Sequence, residues 1–306
     1  MFTKRVDEPR EVEGYVGVVQ TTLTYEVEVR AFRECEFTLR WEGSANMAPE
    51  DGSEATEAKV VIQPYERRRL VVLQQQDLLA GWSLSIGSSW LERQPSVERC
   101  NAAVAETAEA IDAELRTAKT LDFGADAATI DHLNAVCEEH GVKFVDLEFP
   151  PVEASLFSAA SKHAPKPGAR KITWRRATDF LDPDKLDVFV QGVEPSDISQ
   201  GALGDCWLLC SIAACTEFPW LITRMFQVHG DDAEPQSANP YGVYKVRLCK
   251  NGQWQYVRLD DYFPCYPGSG PVYAKTHEQQ ELWVPLVEKA MAKLCGTYDA
   301  LRAGLP

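Results

Sequence analysis

What the chain lacks narrows what it can be. None of its nine cysteines forms a Cys-x-x-Cys pair, so the usual zinc and dithiol spacings are missing. An odd number of cysteines scattered over 306 residues argues for free thiols in a reducing compartment, the cytoplasm, and against a disulfide framework. Met1-Phe2-Thr3-Lys4 leads into no apolar signal-peptide core, and position 2 is not glycine, so N-myristoylation is not expected. No apolar run reaches membrane-spanning length; the longest, Trp207 to Ile222, is interrupted by Glu217 and Pro219. Basic residues are outnumbered, 31 against 46 acidic ones, for a formal charge of −15. That balance disfavours nucleic acid and anionic membrane as partners and suits the binding of cations.

What is present fits two domains, since 45% apolar residues in a chain of this length can fill real cores. Residues 1–14 are highly charged and read as a frayed terminus. From Tyr15 to about Ile86 the pattern alternates. Tyr25, Val27 and Val29 interleave with Glu26, Glu28 and Arg30, and Cys35, Phe37, Leu39 and Trp41 with Glu36, Thr38 and Arg40. Shorter runs follow at Val60–Ile62, Leu70–Leu73 and Trp82–Ile86. Such alternation predicts antiparallel strands with one wet face, and two such sheets pack as a β-sandwich, here over residues 1–95. The acidic insert from Gly43 to Glu57 reads as a mobile loop.

Residues 96–148 predict a helical hairpin. Val97, Cys100, Val104, Ala108, Ile111 and Leu115 form one stripe, and Ile130, Leu133, Val136 and Cys137 a second after a start near Asp126, with Gly141 at its end. Further on, Pro219 suits the first position of a helix running to Phe226. Tyr244, Val246 and Leu248 lead through Asn251-Gly252 into a returning run from Trp254 to Leu259, a strong hairpin signal. Asp260-Asp261 reads as a turn with solvated charge. Val284 to Leu294 predicts a last helix with Leu286, Val287, Ala290 and Leu294 inward and Gly296 as its stop; Glu281 falls in an exposed turn before it.

The stretch that organises the rest is Gln200-Gly201-Ala202-Leu203-Gly204-Asp205-Cys206-Trp207-Leu208-Leu209. Small residues lead into a cysteine, and a helical apolar pattern follows it. Unpaired N–H groups and the positive end of the dipole at a helix start favour a thiolate, the form that attacks carbonyl carbon. Gln200 offers an amide donor for a developing oxyanion. Asp205, acidic and adjacent, opposes the thiolate. Cys206 and Cys210 share a helix face, and Cys210 and Cys215 read as core packing.

This run resembles the nucleophile segment of the calpains, calcium-dependent relatives of papain-like cysteine proteases. The resemblance implies that Cys206 is the nucleophile and Gln200 its oxyanion donor. It extends to the lead-in from Phe144-Val145-Asp146 to Leu156-Phe157 and to the Glu281-Leu282-Trp283 helix. The fold it implies is α+β: the sandwich, the helical connector, then over 149–306 the mostly helical, cysteine-bearing first half of a papain-like core. It also implies a calcium site built from the carbonyls of Val190 and Gly192 and the carboxylates of Asp197 and Glu281, the all-oxygen donor set calcium prefers. Protein substrates and the second half of the protease core are the partners it implies.

In that family the histidine base and its asparagine lie well over a hundred residues after the cysteine, beyond the 100 residues that follow Cys206 here. Of the five histidines in the sequence, His229 and His277 follow Cys206, and neither stands in a matching motif. His132 and His140 read as surface residues. The expectation is a nucleophile without its base, in a fragment, a non-catalytic calcium- or partner-binding protein, or a scaffold for the sheet domain. Retention of both Cys206 and Gln200 favours the first.

Overall fold

A computed structural model describes residues 2–11, 19–29, 33–64, 66–124, 129–164, 171–190, 192–227, 235–276 and 280–304. The chain contains both helices and strands, an α+β composition, and divides into two compact units, Met1–Cys100 and Asn101–Pro306.

In the first unit β1 (Phe2–Glu11), β2 (Val19–Glu28), β3 (Glu34–Arg40), β4 (Met47–Pro49), β5 (Glu57–Ile62), β6 (Arg67–Gln75) and β7 (Gly87–Arg93) form two antiparallel sheets, ordered β1-β2-β6-β4 and β5-β3-β7. The alternation locates their apolar sides: Leu23, Tyr25, Val27 and Val29 join Cys35, Phe37, Leu39, Ile62 and Leu73 in one cluster. Three readings need correction. Residues 2–11 are not frayed; they pair along their whole length with β2. Main-chain pairing makes this strand, so its charged composition hid it. The insert after Gly43 is not wholly a loop, because Met47 is buried and β4 pairs with β6. The last strand is not Trp82–Ile86 but β7, and Trp82 and Ile86 are exposed. Residues 12–14 and Tyr15 lie outside the described residues.

α1 (Val97–Ala118) begins four residues before the division and continues into the second unit, where α2 (Ile130–His140) follows. Only the C-terminal part of the α1 stripe is buried, at Ile111, Leu115 and Ala118. Thr129 caps α2, its hydroxyl accepting the His132 N–H, and Gly141 ends the helix at φ 63°. The proposed start at Asp126 lies outside the described residues. His132 and His140 are exposed. Next come α3 (Glu153–Leu156), β8 (Thr173–Arg176), β9 (Ile198–Ser199), α4 (Cys206–Thr216), α5 (Pro219–Thr223), β10 (Tyr244–Lys250), β11 (Gln253–Leu259), β12 (Tyr262–Cys265), β13 (Lys275–Thr276) and α6 (Trp283–Cys295). Asn251 and Gly252 both take positive φ, 53° and 75°, the geometry a two-residue hairpin turn requires. The apolar run after Cys206 folds as α4 and α5, bent by 119°, and no single described helix is long and apolar enough to cross a membrane.

α6 is the post of this unit. Trp283, Val284, Leu286, Val287, Ala290 and Ala292 are all buried, and each large one stabilises by roughly 1.5–3 kcal/mol. A helix covered on every side must also bury its charged residues, which then need partners. Lys289 is fully buried and donates to the Asp260 and Tyr262 carbonyls and the Asp260 carboxylate. Lys293 reaches Asp146 at 2.7 Å and Glu148 at 3.0 Å. Asp261 pairs with the buried guanidinium of Arg176. The Asp260-Asp261 turn is therefore not solvated: its acids are 0% and 3% exposed and anchor α6 and β8.

Candidate active site

Three segments meet around the start of α4. The first is the loop 200–205, which follows β9. β9 pairs with β13, so the loop sets off along the segment 272–276. The Ala202 N–H donates to the Val272 carbonyl at 2.9 Å. At Gly201 the approach is so close that a Cβ would sit 2.1 Å from the Tyr273 carbonyl oxygen and 2.3 Å from that of Val272. No side chain fits there, which gives the glycine a packing reason. The third segment is 297–304. Its Ala303 N–H donates to the Gly204 carbonyl, and its Leu301 carbonyl accepts the Trp207 indole N–H at 2.7 Å. A Cβ at Gly304 would fall within 2.4 Å of that indole. Trp207 is thus pinned by the 297–304 segment, and with it the first turn of α4.

Cys206 is the first residue of α4 and is exposed. Asp205 caps the helix, its carbonyl accepting the N–H groups of Leu208 and Leu209 at 2.9 and 3.2 Å. Gln200 is also exposed, and its amide donates to the Leu203 carbonyl at 3.1 Å, inside the loop that ends at Cys206. Cys210 is exposed rather than a core residue, because the buried side of α4 is carried by Leu208, Leu209 and Ile212. His229 and His277 lie outside the described residues. His163 pairs with Asp299 at 3.1 Å on the segment that pins Trp207. Burial raises the Asp299 carboxyl, but bonds from Ser161, His163 and Arg302 outweigh it and hold it low.

Of the four residues read as calcium ligands, two meet. The Val190 N–H donates to Glu281 Oε1 at 2.6 Å, and Asp187 and Glu281 form a parallel bridge. Glu281 is not exposed: it is 2% accessible, held inward by the backbone ties from Asp187 and Val188 to residues 280–283. Asp197 is buried, and its carboxylate accepts the Glu194 N–H at 2.7 Å. Gly192 takes φ 115°, a turn that suits glycine. Among the described residues no group of three or more histidines, cysteines or acids is arranged to hold a metal. Asp197 and Glu281 carry carboxylate oxygen, the kind of donor a hard cation takes, and of the four positions Val190 and Glu281 are the two joined by a hydrogen bond.

Sequence reading passed over one feature. Asp205 is 0% exposed, and against it lies Glu288 of α6, itself 2% exposed. Both Glu288 oxygens accept the Ala274 N–H, at 3.0 and 3.1 Å. Burial, then the charge of Asp205, push the Glu288 carboxyl well above the ordinary carboxylate range. No signal in the sequence pointed to it, because Glu288 falls outside the predicted inward face of Leu286, Val287, Ala290 and Leu294 and only the fold covers that side of α6.

Comparison with known proteins bears on this arrangement. Residues 144–306 match the family described as calpain family cysteine protease. The calpain-type cysteine protease DEK1 of Arabidopsis thaliana is 37% identical over 167 residues, 53% of this chain and 7% of the relative. Calpain-5 of Caenorhabditis elegans is 33% identical over 190 residues, 62% of this chain and 28% of the relative. The calpain-1 catalytic subunit of Mus musculus is 36% identical over 173 residues, 56% of this chain and 23% of the relative. The chain thus spans between 7% and 28% of the length of these relatives.

Proposed function

Because the chain belongs to the calpain family of cysteine proteases, we propose that it carries the nucleophile side of a calcium-dependent endopeptidase site, acting on proteins. Cys206 is the nucleophile: its thiolate attacks a peptide carbonyl carbon, and the electron pair of the C=O moves onto oxygen. The Gln200 amide donates to that oxyanion. One observation carries the reading. An exposed cysteine begins a helix whose first turn is locked by Trp207, at the end of a loop that leaves Gln200 exposed with it.

The two-sheet unit is read as a β-sandwich accessory domain, and the second half of a papain-like core as the partner that supplies the base. Proton transfer to a histidine is what makes such a thiol turn over, and its loss costs on the order of thousands-fold in rate. These 306 residues by themselves therefore leave casein intact when incubated with millimolar calcium. Prompt cleavage that disappears in Cys206→Ala would sink the reading that the base is supplied from elsewhere.

Carboxylate and carbonyl oxygens are the donors calcium takes. The carbonyls of Val190 and Gly192 and the carboxylates of Asp197 and Glu281 would hold it. Bound there, it would tie the 190–197 loop to the start of α6, on which the nucleophile loop rests through β13. A calorimetric titration of the chain with calcium gives a binding isotherm that Asp197→Ala abolishes. An unchanged isotherm in that variant would remove Asp197 from the site.

A further inference from the structure

We infer that Glu288 is a positioning residue for Cys206: it shares a proton with Asp205, directly before the thiol, and so clamps the start of α4 to α6 and to the 272–274 segment. The inference rests on the reading of Cys206 as nucleophile.

The geometry begins with a deficit. Asp205 is an N-cap, yet its side chain makes no cap bond, and no N–H of another described residue donates to either carboxylate oxygen. A bare carboxylate in a dry site is costly enough that it takes up a proton or finds a donor. What Asp205 meets is a second carboxyl, Glu288. Two carboxylates in contact do not both stay ionised, and one proton between them satisfies both. Glu288 is the one that holds it. Burial and the neighbouring charge of Asp205 raise its affinity for the proton, and the bond it makes lowers that of Asp205. Arg302, near Asp205, also favours the charge there. The other groups facing the pair are Tyr273 and Tyr298, whose hydroxyls burial keeps neutral. Lys289, next on α6, is turned to Asp260 and Tyr262.

A continuous chain of bonds results. The Ala274 N–H donates to Glu288, and Glu288 O–H donates to Asp205, whose own carbonyl receives the first N–H groups of α4. The segment at the root of this chain also accepts the Ala202 N–H and presses on Gly201. The thiol and the Gln200 loop are thereby referenced to one strand of backbone, which is how two groups acting on one carbonyl keep their spacing.

The clamp has a pH sign. A carboxyl whose folded affinity for protons exceeds its unfolded value contributes fully below the ordinary glutamate range. That contribution is lost as pH rises through the folded value, when the two anions repel. Glutamine at 288 keeps the donor for Asp205 and the acceptor for Ala274 and has no proton to lose.

The test uses the whole chain and iodoacetamide, with the rates at Cys206 and at the exposed Cys249 followed by mass spectrometry from about pH 6 to about pH 10. The ratio of the Glu288→Gln rate to the wild-type rate at Cys206 is expected to start near one and rise several-fold with pH. At Cys249 the ratio stays flat, so the titration of a free thiol is controlled. A merely packed side chain gives a flat ratio at both sites, and that result overturns the inference. So does a Glu288→Gln chain that fails to fold, since the amide preserves both bonds. Cys206 reacting no faster than Cys249 in the wild type strikes instead at the nucleophile reading, and the ratio is still read.

Discussion

Lys289→Met costs the second unit about 3–5 kcal/mol, the range seen when one partner of a buried ion pair is removed. The ammonium is fully buried and spends its protons on the Asp260 carboxylate and the Asp260 and Tyr262 carbonyls. Methionine fills the space but leaves those acceptors dry. Asp260 keeps the N–H groups of Tyr262 and Asp146, at 2.9 and 2.8 Å, which is why the loss stays within that range rather than exceeding it. Cation–π contact with Phe263 and Trp174 disappears as well. A domain with a typical reserve of roughly 5–15 kcal/mol would be left marginal. The opening of this unit is read from the alkylation rate of Cys265, which is 0% exposed on β12. A loss below about 1 kcal/mol would mean that the pair contributes little and that α6 is held by its apolar faces alone.

That ion pair also shows where sequence reading stops. The pattern from Val284 to Leu294 is local, and the helix is found there. The hairpin was legible for the same reason, since Asn251 and Gly252 carry their turn geometry in their own chemistry. So was the placement of Cys206 at a helix start, signalled by the small residues before it and the apolar period after it. What was not legible depends on partners far along the chain. Glu281 reads as a residue in an exposed turn until Val190 is laid beside it. Asp260 and Asp261 read as solvated until Lys289 and Arg176 arrive from other elements. The partner of Asp205 was hidden too, since only the fold brings Glu288 against it. β1 is the extreme case: its composition argues against order, and its pairing with β2 makes the strand.

The whole account depends on Cys206 being a nucleophile rather than an ordinary surface thiol. All nine cysteines are free, so a thiol-directed epoxide puts them in direct competition. Three are poor competitors. Cys35, Cys137 and Cys265 are buried, and burial raises their thiols, that of Cys137 to about 11. Cys100 and Cys215 are half-buried, so the contest is with Cys210, Cys249 and Cys295, which are exposed as Cys206 is. Exposure therefore cannot decide it, and position can. Cys206 alone of these four begins a helix; Cys210 lies within α4, Cys249 on β10 and Cys295 ends α6. A helix start presents its unpaired N–H groups to charge that develops there, and none of the other three positions does. The measurement is the order of labelling on the intact chain, read peptide by peptide at neutral pH. Cys206 labelled first is the predicted result. Equal labelling of the four exposed thiols, or Cys249 ahead of Cys206, contradicts it.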